Sequence, residues 1–575
     1  MESAELIWRK KVTEDKTQQG KWSIDTTKEV VAAKKKASRG KGGGISFRPY
    51  VEDIRTRLAK VEEKRVKIMK MGDERLLAKQ KERGNLTARE RIALFFDEGT
   101  FVEHGAFGES QIHGMGMEEY HTPADGVICG FGLVHGRSVC AYATDYSVLA
   151  GSSGEGHQIK IANITKLAGA SMVPIVGFID SSGARLHEAA PCLKGYFDTF
   201  WLQSNYSGVI PQITVVCGGC AAGQAYSPLL TDFVIMTRTK GTNMWLGGPR
   251  ATAALTQEDI SAIGGADYHM KHSGSCHYAA DDDKEAISIV KKILSYLPSS
   301  WEEQPPHVPA EDDPLRKEQK LLEILPDDPR RTYDMHDIIK LIVDDGDFME
   351  LMAGYAQSAI VGFCRFNGHP CGIYAGNPAY IAGCLEPNSC DKVTRFITFC
   401  DCFNIPMVYL VDTPAITVGD DWERLGVIRH ATKLLHTTNC ATIPRVCILV
   451  RKAYGGTLPI FCAKPHAADF VYVWPTSEHA PMGADGAVAV MYDRKIKELP
   501  TTEERLAFAE KKKKEYFDEY VDPIKTAANL RWDFFDDIID PRKTRETIIN
   551  AFRLGRTIKN RVSPRPKRKQ GNRPV

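Results

Sequence analysis

Two short turns, each directly after an apolar strand-like run, hold the residue types that could do chemistry. Asp180-Ser-Ser-Gly183-Ala184-Arg185 follows PIVGFI, and Gly218-Gly-Cys-Ala-Ala222-Gly223 follows PQITVVC. Small residues between a strand and a helix leave backbone N–H groups facing outward at the positive end of the helix. Two such donors, one per turn, can stabilise negative charge on a carbonyl oxygen, as in an enolate formed from a thioester. Ser182, Gly183 and Ala184, with Ala222 and Gly223, are the candidates. Glycines in such turns also serve close packing alone. The functional reading is favoured because both turns recur later, as Asp412-Thr-Pro-Ala-Ile-Thr-Val-Gly419 and Arg451-Lys-Ala-Tyr-Gly455-Gly456-Thr457. No nucleophile–base pair accompanies them: Tyr226, Ser227 and His187 are isolated and read as structural. Gly130-Phe-Gly132 lacks the third glycine and the downstream acid of a dinucleotide fingerprint, and no Walker loop is present. Cys217-Gly-Gly-Cys220 has no second CxxC at zinc spacing, so the cysteines read as buried free thiols of a reducing compartment and no metal is expected.

These turns belong to a long internal repeat. Gly130 recurs as Gly362 and Asp180 as Asp412, both 232 residues later, and Pro211 recurs as Pro444, 233 residues later. A helix-and-turn phrase also repeats, Asp97-Glu-Gly-Thr-Phe-Val-Glu103 answering Asp344-Asp-Gly-Asp-Phe-Met-Glu350. One long repeat means two similar domains. Apolar strands alternate with helices, expected at 155–169 and 422–437, so an α/β fold with covered sheets is expected. Residues 50–95 read as helix, with Thr87 and Glu90 spaced as a capping box. Residues 297–333, rich in Pro and acid, read as a linker, and 493–525 as a charged helical stretch. The expected layout is a flexible basic arm at 1–49, domains at 50–310 and 311–555, and a basic tail at 556–575.

Composition excludes several classes. The chain has 575 residues, 43% hydrophobic and 26% charged, with a net charge of +2. There is no global basic field for nucleic acid or a membrane surface. No apolar run of about 18 residues suggests a membrane span. The start, MESAELIWRKK, lacks the apolar core of a secretory signal. A cytoplasmic protein is expected, or a mitochondrial matrix one in a eukaryote.

Several stretches between Lys79 and Tyr492 resemble the carboxyltransferase (β) subunit of biotin-dependent acyl-CoA carboxylases, the propionyl-CoA carboxylase type. They include KQKERGNLTARERI, GVIPQITVVCGGCAAGQAYSPLLTDFVIM, GVIRHATKLL, RKAYGG and VWPTSEHAPMGADGAV. The resemblance implies two tandem crotonase-like ββα-superhelix domains with an N-terminal helical extension. It implies that the first domain binds the coenzyme A thioester and the second receives biotin, as carboxybiotin on a separate subunit. It implies a homohexamer with active sites between subunits, working with biotin carboxylase and biotin carboxyl carrier subunits, with no nucleic acid and no direct membrane insertion. Ser182, Gly183, Ala184, Ala222 and Gly223 would border the thioester oxyanion hole, with Arg185 and Pro459 at the substrate. Gly456 and Thr457 would hold the biotin ureido oxygen, with Gly455 and Gly419 beside them.

The chain departs from the family's pattern in places. Ser182 stands where a glycine is usual. Thr457-Leu-Pro459 replaces Ala-Tyr-Asp, and Ala415-Ile-Thr-Val-Gly419 replaces Gly-Phe-Leu-Pro-Gly. The departures bear on the acyl group and on the direction of reaction. A sodium-coupled decarboxylase subunit acting on glutaconyl-CoA or methylmalonyl-CoA, and a catalytically silent scaffold, are the alternative readings. Ile68-Met69-Lys70-Met71 looks like a biotinyl-lysine motif, but a carrier lysine sits on a hairpin of a β-rich domain, whereas Lys70 falls in a charged helical stretch.

Overall fold

The computed structural model describes residues 52–461, 463–464, 468–529 and 533–558. The expected basic arm at 1–49 and the tail beyond residue 558 lie outside the described residues. The repeat folds as two sheets of the same plan. The first runs β1 (Val102–His104), β2 (Val127–Val134), β3 (Arg137–Thr144), β4 (Ile175–Ser181), β5 (Gln212–Ala221), β6 (Phe233–Thr237) and β8 (Tyr278–Ala280), with β7 (Asn243–Trp245) branching from β5. The second repeats that order with β9 (Met349–Leu351), β10 (Ala359–Phe366), β11 (His369–Gly376), β12 (Met407–Thr413), β13 (Arg445–Tyr454), β14 (Phe470–Val473) and β16 (Asp537–Ile538), with β15 (Glu478–Ala480) branching from β13.

Local chemistry explains the plan. β2–β3 and β10–β11 are antiparallel hairpins closed by two residues, His135-Gly136 and Asn367-Gly368. All four have positive φ, between 49° and 75°, as a type I′ turn demands. In each half the aspartate that opens the repeated phrase holds this turn. Asp97 accepts from the His135 and Gly136 N–H groups, and Asp344 from those of Asn367 and Gly368. From β3 and β11 onward the strands pair in parallel. Every residue of β4 and β12 is buried, so their first five residues, IVGFI and MVYLV, read as unbroken apolar runs rather than alternating ones.

The helices refine the sequence reading. The described part of the stretch expected as helix, 52–95, forms three helices, Ile54–Met69, Glu74–Glu82 and Ala88–Phe95, separated at Gly72-Asp73 and Gly84-Asn85. Thr87 and Glu90 do form the capping box. The helix expected at 422–437 is Asp420–Arg424 followed by Val427–Cys440, because Gly426 turns left-handed at φ +76°. The charged stretch at 493–525 breaks at Pro500, which cannot donate to a preceding turn. Between 297 and 333 only the 3₁₀ turn Gln319–Leu322 is regular. Lys70 is exposed in the turn after Met69 and belongs to no strand.

Both sheets lie in one compact unit that begins at Lys64. Phe233 on β6 meets Phe363 on β10 and Phe399 on the helix Pro387–Cys402, with ring centroids 5.9 and 4.6 Å apart. Arg395 on that helix donates to the carbonyls of Thr231 and Asp232 across the same seam. The repeat therefore yields two sheets with a shared core, not two free bodies.

Candidate active site

The candidate turns sit where each sheet is irregular. Between β4 and β5 the register advances two residues on one strand, Ile179 to Ser181, and four on the other, Val216 to Cys220. Between β12 and β13 the same slip falls between Val411 and Thr413 against Leu449 and Ala453. Such a bulge bends the strand and re-aims the residues beyond it. Those residues are the turn Ala222-Gly223 in one half and Gly455-Gly456 in the other.

Each bulge is built around a buried aspartate. Asp180 is 1% exposed and takes the space that a Cβ on Gly218 would need, which would stand 2.0 Å from its Oδ1. That close approach is why glycine is required there. Burial pushes the Asp180 carboxyl up to about 6, against the opposing pull of Arg91. In the second half Arg451 occupies the strand position of Gly218, and its Nε lies 2.8 Å from Asp412 Oδ2. Tyr333 lies against the Arg451 guanidinium, 5.1 Å from ring centroid to Cζ.

The turn after β4 meets the turn after β5. Gly183 has φ +99°, and a Cβ there would lie 2.9 Å from the Ala221 carbonyl and 3.7 Å from the Ala222 Cβ. Its carbonyl accepts from the Ser153 N–H, and the Arg185 N–H returns to the Ser153 carbonyl, so the turn is hooked onto residue 153. Most N–H groups here are already used. Ser182 donates to the Ala150 carbonyl at 3.1 Å, Gly183 to Ser181 Oγ at 3.1 Å, and Ala222 to the Trp245 carbonyl at 3.2 Å. Among the described residues, the N–H groups of Ala184 and Gly223 find no acceptor. Gly223 is the first residue of the helix Gly223–Leu230, so its N–H faces out of the positive helix end.

The second half repeats this geometry. The Leu385 N–H donates to the Ala415 carbonyl and the Thr417 N–H to the Leu385 carbonyl, as at Gly183, Arg185 and Ser153. Gly455 donates to the Ala480 carbonyl at 2.9 Å, matching Ala222 and Trp245. The N–H groups of Ile416 and Gly456 find no acceptor among the described residues. They are the counterparts of Ala184 and Gly223, and a Cβ on Gly456 would lie 3.5 Å from Ile416 Cδ1. Ile416 is the residue that reading the chain alone did not single out. Its signal was the offset: it stands 232 residues after Ala184.

The remaining residues singled out from sequence have other geometry. The Arg185 guanidinium is buried, 2.6 Å from Asp125 Oδ1 and 2.7 Å from Glu188 Oε1, and donates to the Ser152 carbonyl at 2.9 Å. Its charge is spent on holding the turn. Ser182 and Gly419 are exposed, and nothing lies within 4 Å of a Cβ built on Gly419. The Thr457 hydroxyl is buried and bonds the carbonyls of Tyr454, at 2.7 Å, and Thr413, at 3.2 Å, so it joins the ends of β12 and β13. Pro459 is half-buried in the short helix Thr457–Ile460. Cys217 and Cys220 are buried on β5. The arrangement thus offers backbone donors at both turns, Ala184 with Gly223 in one half and Ile416 with Gly456 in the other. It can hold two oxygens on which negative charge develops.

Comparison with known proteins bears on the family and the fold. The carboxyl transferase domain family matches residues 79–572. The chain is 40% identical to the propionyl-CoA carboxylase carboxyltransferase subunit of Haloferax mediterranei, covering 90% of this chain and 99% of that one. It is 39% identical to the methylmalonyl-CoA decarboxylase subunit alpha of Propionigenium modestum, covering 90% and 98%. The crystal structure of transcarboxylase 12S, with methylmalonyl-coenzyme A and methylmalonic acid bound, superposes with a TM-score of 0.86 at 39% identity, covering 92% of this chain and 100% of that one. The fold is crotonase-like, as that neighbour's is.

Proposed function

The chain belongs to the carboxyl transferase family, and we propose that it transfers a carboxyl group from carboxybiotin to the α-carbon of propionyl-CoA or a related short acyl-CoA. The observation that carries this reading is the repeated donor pair, Ala184 with Gly223 and Ile416 with Gly456. The first pair receives the thioester oxygen and stabilises the charge that grows there as the α-proton leaves. The second receives the biotin ureido oxygen. Both matter because that charge is larger in the transition state than in the bound substrate. Carboxybiotin supplies the carboxyl group, and the biotin nitrogen freed by CO₂ loss accepts the α-proton. No side-chain nucleophile is required of this chain.

The acyl group is argued from the thioesters that the relatives are named for. Decarboxylating methylmalonyl-CoA gives propionyl-CoA, so the decarboxylase and the carboxylase relatives handle the same pair of thioesters from opposite sides. We assign the carboxylating direction. The partners are separate biotin carboxylase and biotin carrier subunits, and the assembly is a homohexamer, in keeping with the hexamer that transcarboxylase 12S forms. Exposed apolar residues near each site favour burial against another copy. On the helix Ala190–Tyr206, Leu193, Phe197 and Trp201 are 49%, 64% and 65% exposed at i, i+4 and i+8. In the second half Val418, Leu425 and Ile428 are also exposed. Among the described residues, no helix is long and apolar enough to cross a membrane.

The test is turnover by the purified chain. Methylmalonyl-CoA and free biotin should give propionyl-CoA at a rate that depends on biotin. No biotin-dependent turnover with malonyl-, methylmalonyl- or glutaconyl-CoA, from a folded oligomer, would overturn the reading.

A further inference from the structure

The two bulges meet the same structural demand in different ways. Each leaves a buried carboxylate, Asp180 or Asp412, and a strand carbonyl displaced from the ladder, Cys217 or Val450. In the second half the strand supplies its own cation, against which the Arg331 carbonyl, 3.1 Å from Arg451 Nη1, and the Tyr333 ring lie from outside the sheet. Arg451 on β13 pairs with Asp412, the Lys452 N–H donates to Asp412 Oδ1 at 3.1 Å, and Thr476 Oγ1 donates to the Val450 carbonyl at 2.7 Å. In the first half glycine replaces the strand arginine, and the answer comes from outside the sheet. Asn85 Nδ2 donates to the Cys217 carbonyl at 2.7 Å, and Arg91 lies 3.4 Å from it. The Arg91 guanidinium is 3.8 Å from Asp180 and 3.3 Å from Asp283, and Gln80 Nε2 is 3.3 Å from Asp180. Asp283 in turn accepts from the Leu86 N–H at 2.6 Å, which fixes the loop that carries Asn85. Gln80, Asn85, Arg91, Asp180 and Asp283 are all under 5% exposed.

We infer that the segment Gln80–Arg91 is a positioning device for the first site, holding the β5 bulge through Cys217 and Asp180 so that the Gly223 N–H stays aimed beside Ala184. The inference rests on the carboxyl-transfer reading for the role of the donor, but not for where it is held. Gly218 admits no side chain, so β5 cannot supply its own cation. The helix Ala88–Phe95 and the loop before it are therefore part of the acyl-CoA half of the machinery, whereas in the biotin half the cation on the buried aspartate comes from the strand itself, as Arg451.

Asn85→Ala tests this in the full chain, since it removes one amide and leaves the Arg91 charge cluster in place. Donor misplacement by about 1 Å costs on the order of a hundredfold in rate, so kcat for biotin-dependent turnover of methylmalonyl-CoA should fall at least tenfold. KM for the thioester should stay within about twofold, because the donor acts chiefly in the transition state. Arg91→Lys, which keeps the charge and loses the planar fork, should restore part of the rate that Arg91→Gln loses. Arg316→Gln is the control outside this segment: it breaks the Arg316–Asp312 pair at 2.7 Å, and should cost stability without changing kcat. Hydrogen exchange supplies a readout independent of turnover. In Asn85→Ala the amides of 217–224 should exchange at least tenfold faster, while those of 450–457 keep their wild-type rates. Wild-type exchange at 217–224, or an equal rise in both segments, overturns the inference. A wild-type chain inactive with every thioester would overturn the functional reading instead, and the exchange data would still decide this one.

Discussion

Gly456→Val separates the chemistry of the second turn from its folding. Gly456 has φ −66° and ψ −12°, an ordinary right-handed conformation open to any residue. Among the described residues a Cβ there meets only Ile416 Cδ1, at 3.5 Å, which is ordinary van der Waals contact. Replacing glycine at an unstrained position shifts stability by less than about 1 kcal/mol, so the thermal midpoint should move by no more than about 4 °C. The valine, however, adds bulk against Ile416, the residue whose N–H is paired with that of Gly456. Losing one oxyanion donor costs about 10²–10³ in kcat, or about 2.7–4 kcal/mol. The assay is steady-state turnover of methylmalonyl-CoA against free biotin, with thermal unfolding and oligomer size on the same preparation. Gly183→Ala is the contrast, because φ +99° and the Ala221 carbonyl at 2.9 Å make it lose stability as well as rate. A Gly456→Val enzyme within about threefold of wild type would refute the placement of the second hole. So would a variant that loses its oligomer, since the site would then be structural.

Three further outcomes rest on the same structure. Arg451→Met strands Asp412, which is 1% exposed, and should cost about 3–5 kcal/mol in denaturant unfolding. Arg451→Met combined with Asp412→Asn should recover much of that loss, and full additivity of the two single changes would count against the pair. His336 has Nε2 2.8 Å from Glu350 and Nδ1 2.5 Å from Asp334, where the first half has the pair Arg89–Glu103. The hydrogen bond to Glu350 holds the imidazole above its usual value, despite partial burial. A raised folded value stabilises the protein fully below the unfolded value near 6.5, and the contribution is lost as pH rises through the folded value. Unfolding free energy of His336→Phe, measured from pH 5.5 to 8.5, should therefore lack a decline that the wild type shows, and parallel curves would rule the linkage out. Lys70→Arg should leave turnover with free biotin unchanged, and the wild-type chain should carry no biotin label at Lys70 by peptide mass. A label there would overturn the reading of that lysine.

Much of the fold was legible because it is written twice. An offset that hardly drifts from Gly130 to Pro444 forces a common plan, and the alternation of apolar strand with helix fixes its class. Short-range devices were legible for the same reason that they are local, as with the Thr87–Glu90 capping box. Helix breaks were less so. Gly426 and Pro500 interrupt stretches whose composition is helical throughout, and one residue's backbone preference outweighs a run of favourable neighbours.

The sequence alone determined that two glycine-rich turns exist in each half and that they come after strands. It could not say which N–H groups remain unclaimed, because that depends on acceptors far along the chain. Trp245 and Ala480 claim Ala222 and Gly455, and Ala150 claims Ser182. Among the described residues, the tertiary structure leaves the N–H groups of Ala184, Gly223, Ile416 and Gly456 without an acceptor. It also turned Arg185 and Thr457 inward, where Asp125, Glu188 and the Tyr454 carbonyl satisfy them. Residue type marks what a turn can offer. What it has left to offer is settled only when every neighbour has taken its share of the hydrogen bonds, and those neighbours are brought together by the fold.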